Sequence, residues 1–271
     1  MLRPLLKHRE DVLPIVGRTR LGLVVDFDGT VAEIAPTPDE AVISPICAEA
    51  LSILADKLTL VAVVSGRSAV DVGRKVGLDE VVYVGNHGAE YLEDGRTTVV
   101  DGVEDHRAMI GAVFEHLRTS ADGPGVVWQD KGLSASVHFR MSPDKSEAQK
   151  RLAEALSTAS GADDLDVFWG KMVLELRAPG GVDKGYAIRR LAERRGLNGM
   201  FFVGDDVTDV DAVRGLSQLV SQGKLSGAGV AVTHPDSPQE LIRVADFGLR
   251  GVEEVGEFLH WLVDAVGRPT R

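Results

Sequence analysis

The chain has 271 residues, of which 44% are hydrophobic and 26% charged, and a formal net charge of −11 at neutral pH. That length can bury a substantial core in one or two domains, and the composition is that of a globular protein. With no long basic run, the acidic balance argues against a general nucleic-acid or membrane-surface binder, so an anionic ligand must be held by local cations or a metal.

Residues 1–12 are broken by Arg3, Pro4, Lys7, His8, Arg9, Glu10 and Asp11, which leaves no signal-peptide apolar region. No stretch approaches the length of a membrane span, and a cytoplasmic location is the expectation. The first apolar run, residues 21–26, ends in Asp26-Phe27-Asp28-Gly29-Thr30. Two carboxylates one residue apart at the end of a buried strand are costly unless their charge is compensated, and a bound cation is the obvious compensator. Gly29 lets the backbone turn sharply, so both can face one site beyond the strand's C-terminal end, where open α/β sheets bind ligands. A plain strand followed by an Asp-Gly turn fits the same five residues.

Ser44 and Pro45 supply an N-cap and first-turn proline for a helix whose buried stripe is Ile46, Ala50, Ile53 and Leu54. The lone cysteine, Cys47, excludes an intrachain disulfide and reads as a small core residue of that helix. A strand over 60–65 runs into Ser65-Gly66-Arg67-Ser68 and a helix start, where a hydroxyl and backbone amides suit a phosphoryl oxygen; Ser65 also fits a simple N-cap. The strand over 81–85 leads into Gly85-Asn86-His87-Gly88-Ala89-Glu90, in which Asn86 and His87 also fit a simple turn.

From about 104 to 178 the pattern becomes helix, two strands, helix, two strands. One helix carries Met109, Ile110, Val113, Phe114 and Leu117, and the other Ala148, Leu152, Ala155, Leu156 and Ala159. The strands over 134–140 and 171–178 alternate, with Ser134, Ser136, His138 and Arg140 on one polar face and Lys171, Val173, Glu175 and Arg177 on the other strand's. The expectation is a small sheet with two helices on one face and an open polar face directed at the rest of the protein; solvated sheet faces are the plainer reading.

A helix over 183–196 follows, with Ala187, Ile188 and Leu191 inward. Its first residues include Lys184, poorly placed for the helix dipole unless it serves an anion or carboxylate. The strand over 200–205 ends in Gly204-Asp205-Asp206-Val207-Thr208-Asp209, an acidic cluster suited to an oxygen-ligand Mg²⁺ shell or to an ordinary acidic turn. Residues 223–229 read as a flexible loop before a last strand over 229–233. Strands alternating with helices imply parallel pairing and a doubly wound sheet.

Taken in order, Asp26-x-Asp28-Gly-Thr, Ser65, Lys184 and Gly204-Asp205-Asp206-x-x-Asp209 resemble the four motifs of the haloacid dehalogenase phosphatase superfamily. The insertion between the second and third corresponds to that superfamily's larger cap. The expected fold is α/β: a doubly wound parallel Rossmann-like core, residues 1–103 and 179–271, with an α+β cap at 104–178.

A narrower resemblance, covering nearly the whole chain, is to trehalose-6-phosphate phosphatases. It rests on Ser65-Gly66-Arg67, Gly85-Asn86-His87-Gly88-Ala89-Glu90, His138-Phe139-Arg140, Gly170-Lys171 with Glu175 and Arg177, Asp183-Lys184-Gly185 and the 204–209 cluster. Val210 stands where that family usually has glutamate, and Val31 where leucine is common; neither is a reacting group.

The resemblance implies a Mg²⁺-dependent release of trehalose and phosphate from trehalose 6-phosphate. Asp26 would be the nucleophile and Asp28 the acid and base, with Ser65 and Lys184 assisting. Mg²⁺ would be held by Asp26, the Asp28 carbonyl and Asp205, with Asp206 and Asp209 as outer partners. Arg67, Asn86 and His87, together with Arg140, Lys171 and Glu175 of the cap, are the substrate-binding candidates. The alternatives are another sugar phosphate, such as sucrose phosphate or mannosyl-phosphoglycerate, or a weakly catalytic sugar-phosphate sensor, against which the intact Asp26 and Asp28 count. A monomer is expected. No P-loop, calcium loop, Gly-x-Ser-x-Gly elbow or zinc array competes with this reading.

Overall fold

The computed structural model describes residues 2–170 and 172–266. They form two compact units, one of residues 2–98 and 183–266, the other of Val99–Val182.

In chain order the first unit contains β1 (Arg3–Pro4), α1 (Leu13–Val16), β2 (Leu21–Asp26), α2 (Pro45–Lys57), β3 (Leu60–Val64), α3 (Ala69–Val76), β4 (Val82–Gly85), β5 (Glu90–Glu93) and β6 (Arg96–Val99, whose last residue begins the other unit). The second unit contains α4 (Arg107–Ala121), β7 (Val127–Asp130), β8 (Ser134–His138), α5 (Lys145–Thr158), β9 (Asp166–Gly170) and β10 (Val173–Arg177). The chain then returns to the first unit with α6 (Lys184–Arg195), β11 (Gly199–Gly204), α7 (Asp209–Ser221), β12 (Ser226–Thr233), α8 (Gln239–Val244), β13 (Phe247–Arg250) and α9 (Gly251–Val266).

The large sheet runs β1-β13-β12-β11-β2-β3-β4-β5-β6, parallel from β1 to β4, with β5 antiparallel to β4. Its central strands are buried on both faces, as a doubly wound sheet requires. Leu23 and Val25 of β2, Val61 and Val63 of β3, and Phe201 and Val203 of β11 join one cluster with Leu51 and Leu54 of α2, Val72 of α3, and Phe258 and Leu262 of α9. The intervening residues point to the other face, where α6 and α7 pack.

Several expectations change in detail. The stripe of α2 is Cys47, Ala50, Leu51 and Leu54, while Ile46 is exposed, because the helix rotates its cysteine rather than Ile46 toward the sheet. Burial pushes the Cys47 thiol up to about 11, as suits an inert core residue. Ser44 occupies the N-cap position of α2 with no side-chain capping bond. The glycines at 227 and 229 are not loop: β12 begins at Ser226 and pairs residue by residue with β11. Missing side chains there leave room for Leu216 and Val213 of α7. The hairpin β5–β6 and the strand β13 were not expected.

The second unit is a four-stranded antiparallel sheet, β7-β8-β10-β9, with α4 and α5 packed together and Ala135, Val137, Leu174 and Leu176 buried. The centre of its polar strand face is closed, while Gln129, His138, Val173 and Arg177 on the same face stay half-buried. Ser134, Ser136 and Glu175 are buried, and Glu175 accepts bonds from Ser136 Oγ at 3.1 Å, Lys131 Nζ at 3.3 Å and Arg177 Nε at 3.1 Å. Charges that satisfy one another in this way can be withdrawn from water. No described helix is long and apolar enough to cross a membrane.

Candidate active site

The register of the large sheet assembles the site. Asp26 is opposite Val64 on β3, and Val25 is opposite Val203 on β11, so Asp26, Ser65 and Asp205 leave three adjacent strands at the same C-terminal edge. At Gly29, φ is +78°, and a Cβ would collide with the Asp205 carboxylate; only glycine lets the chain turn this tightly beside it. Thr30 Oγ1 lies 3.3 Å from Asp205 Oδ1.

Lys184 is the first residue of α6, capped by Asp183, whose side chain accepts from Tyr186 N at 2.6 Å. Gly185 and Gly215 bring α6 and α7 close, since a Cβ on Gly215 would lie 2.8 Å from Gly185 O. That approach sets Lys184, 2% exposed, against Asp209 at the start of α7. Lys184 Nζ donates to Asp26 Oδ1 at 2.6 Å and to Asp209 Oδ1 at 2.7 Å. A cation at a helix N-terminus costs about 0.3–1 kcal/mol, whereas charge-assisted bonds contribute about 1.5–3 kcal/mol each, so the carboxylates win.

Asp209 Oδ2 accepts the backbone amides of Asp205 and Asp206, both at 2.9 Å, which fixes the acidic loop. The oxygens of Asp209 are thus committed to Lys184 and the loop. Asp206 is exposed, with its side chain outside this cluster of buried carboxylates.

Asp26, Asp205 and Asp209 bring one carboxylate oxygen each within 4.8 Å of one another. Burial pushes Asp26 well above the usual carboxylate range, with Lys184 pulling it down and Asp209 pushing it up; burial and then Asp26 and Asp209 do the same to Asp205. Burial alone would lower Lys184, but Asp209 and Asp26 outweigh it and hold the amine well above its ordinary value. With all three carboxylates ionised, the one ammonium leaves two negative charges uncompensated in an all-oxygen site. A hard divalent cation fits that donor set and that deficit.

Ser65 is buried at the end of β3, and its Oγ accepts from Arg67 N at 3.1 Å; the N-cap of α3 is Ser68, which accepts from Asp71 N at 3.2 Å. Asn86 and His87 follow β4 with left-handed φ values of 49° and 56°. Such residues cost on the order of 1 kcal/mol or more each and persist where their surroundings hold them. Here Asn86 N donates to Arg67 O at 2.7 Å, His87 N to Ser65 O at 3.0 Å, and Asn86 Nδ2 to Glu90 Oε1 at 2.8 Å. Glu90 also accepts from Ala69 N at 2.7 Å, tying this loop to the start of α3.

Asp28, with a partly exposed side chain, is paired with Arg67. Val31 and Val210 are buried apolar residues that serve packing. Arg140 is exposed beyond β8 and Glu175 lies in β10, both in the second unit; Lys171 lies outside the described residues. Sequence reasoning missed His234, whose Nε2 donates to Gly29 O at 2.8 Å and lies 3.9 Å from Asp205 Oδ2. Its only signal was position, one residue past the C-terminal end of β12.

The fold is that of haloacid dehalogenase-like hydrolases: one such hydrolase from Bacteroides thetaiotaomicron superposes with a TM-score of 0.63 at 17% identity, over 90% of this chain and all of that one. The C-terminal domain of C. albicans trehalose-6-phosphate phosphatase superposes with a TM-score of 0.78 at 22% identity, over 97% of this chain and 98% of that one. The trehalose-phosphatase family model matches residues 24–240, and the chain belongs to that family. A Mycobacterium avium trehalose-phosphate phosphatase is 33% identical over 259 residues, 90% of this chain but 62% of the relative. A Mycobacterium tuberculosis protein named an uncharacterized glycosyl hydrolase is 33% identical over 235 residues, 81% of this chain but 16% of the relative. The chain therefore spans less than two thirds of either relative.

Proposed function

We propose that the chain is a Mg²⁺-dependent phosphomonoesterase acting on trehalose 6-phosphate, with Asp26 as nucleophile. The observation that carries this is the state of Asp26: Lys184 anchors one oxygen at 2.6 Å, while the other has no hydrogen-bond partner among the described residues. An anchored carboxylate with one oxygen unengaged is what attack on phosphorus requires. Family membership and the name of the M. avium relative support trehalose 6-phosphate over other sugar phosphates.

In the first half-reaction an Asp26 oxygen bonds to phosphorus, the phosphorus–oxygen bond to the sugar breaks, and Asp28 as carboxylic acid protonates the departing oxygen. In the second, water attacks the same phosphorus, its proton passes to the Asp28 carboxylate, and the bond to Asp26 breaks, releasing inorganic phosphate. Asp26, Asp205 and the Asp28 carbonyl would hold Mg²⁺, which when bound neutralises the repulsion between carboxylate and phosphate. Asp209 and Asp206 support that set from outside, and Ser65 offers its hydroxyl to a phosphoryl oxygen.

Asn86 and His87 are candidates for the sugar from the first unit. Residues 104–178 would act as the cap, with Arg140, Lys171 and Glu175 reading hydroxyls. Phosphate release across trehalose 6-phosphate, glucose 6-phosphate, sucrose phosphate and mannosyl-phosphoglycerate tests the reading. We expect the highest kcat/KM for trehalose 6-phosphate, loss of activity on exhaustive EDTA treatment and recovery with Mg²⁺. Equal rates would remove the substrate assignment, and no release from any would leave a binding protein.

A further inference from the structure

Asp28 is gripped on both oxygens: Arg67 Nε donates to Oδ2 and Nη2 to Oδ1, each at 2.8 Å. Arg67 is itself fixed, being only 6% exposed, bonded through Nη1 to Asp71 Oδ2 at 3.1 Å and standing 5.5 Å over the Phe27 ring. Burial alone would lower the guanidinium, but Asp28 and Asp71 outweigh it and raise it further. A guanidinium with its fork on one carboxylate and its remaining edge on another has little left to offer a substrate phosphate.

A carboxylate accepting both arms of an arginine can still accept a proton from water on a remaining lone pair, but it has none to donate. The pair seen here is therefore the arrangement that serves the second half-reaction.

We infer that Arg67 is a positioning residue for breakdown of the aspartyl-phosphate: it captures the Asp28 carboxylate once its proton has gone to the sugar and aims it at the attacking water. Asp71, four residues along at the start of α3, keeps the fork in place. The inference rests on the reaction proposed above.

The test is rapid-quench kinetics of the Mg²⁺-loaded protein with p-nitrophenyl phosphate. Nitrophenolate leaves without needing a proton, so its release reports formation of the aspartyl-phosphate independently of Asp28 as acid, and phosphate release reports breakdown. Arg67→Lys keeps the charge and loses the fork. It should form the aspartyl-phosphate at the wild-type rate but break it down on the order of tenfold more slowly or worse, so that acid-stable phosphoenzyme accumulates. Asp71→Asn should shift breakdown in the same direction by less, and it carries the test alone if Arg67→Lys does not fold.

Unchanged breakdown, equal slowing of both steps, or a raised KM with kcat intact would each overturn the inference, the last by making Arg67 a substrate ligand. Wild-type protein that releases phosphate without any phosphoenzyme would instead overturn the covalent reaction, and this inference with it.

Discussion

Asp209→Asn probes the charge clamp that assembles the site. Asp209 is fully buried and its carboxylate makes three hydrogen bonds, one to Lys184 and two to the amides of Asp205 and Asp206. Asparagine is isosteric, and its amide oxygen can still accept both backbone amides. Its NH₂ then faces Lys184, donor against donor. Breaking a buried ion pair by removing one partner costs about 3–5 kcal/mol. Two effects reduce that figure: Lys184 keeps Asp26, and Asp26 and Asp205 are relieved of a neighbouring negative charge. The net loss should be about 2–3 kcal/mol, which for a unit of this size lowers the melting midpoint by about 6–9 °C. Thermal unfolding followed by circular dichroism, without and with Mg²⁺, measures it. A variant melting within about 1 °C of wild type would refute the clamp, because no compensating contact is on hand to hide a loss of this size.

Asp26→Asn should remain folded but lose turnover by orders of magnitude, since an amide does not attack phosphorus; near-normal phosphate release would sink the nucleophile assignment. Because burial raises Asp26 and Asp205, the folded metal-free protein binds more protons than the unfolded chain. Its stability therefore falls as pH rises from the ordinary carboxylate range through the raised values. A divalent cation cancels that loss, so the Mg²⁺-induced gain in melting midpoint should be larger near about pH 8 than near about pH 5; a gain that is flat with pH would contradict the charge deficit. Glu175→Ala leaves the cations of Lys131 and Arg177 without this carboxylate and should lower the melting midpoint. It should also erode the preference for trehalose 6-phosphate over a small aryl phosphate by about 1–3 kcal/mol. Equal falls on both substrates would reduce Glu175 to a structural residue.

What the sequence revealed was mostly local. Asp26-Phe27-Asp28-Gly29-Thr30 is legible because strand, turn and carboxylates are contiguous, and the start of α6 is legible because Asp183 caps it and Gly196 ends it. The partnerships that give these residues their chemistry are long-range and were not legible: Lys184 with Asp209, Arg67 with Asp28, Glu90 with the strained Asn86 and His87, and His234 with Gly29. The hairpin β5–β6 carried a readable signal in its Asp94-Gly95 turn, but its exposed polar second strand hid the pattern. Glycines 227 and 229 lowered the strand signal of β12, although parallel pairing with β11 and packing by α7 decide the backbone there. In the second unit, alternation found the two strands but ran them too long, since β8 stops at His138 and Met172 is a left-handed turn residue before β10, and it did not show that the centre of their polar face would be buried in an ion network around Glu175.

The account turns on a covalent bond between Asp26 and phosphorus. Protein quenched in acid during turnover of trehalose 6-phosphate, reduced with borohydride and digested, should yield a peptide in which Asp26 has become homoserine, the product of a reduced acyl phosphate. That product should be absent from Asp26→Asn and from enzyme quenched without substrate. Sustained phosphate release with Asp26 unmodified at every quench time, or with the label on another carboxylate, would contradict the account.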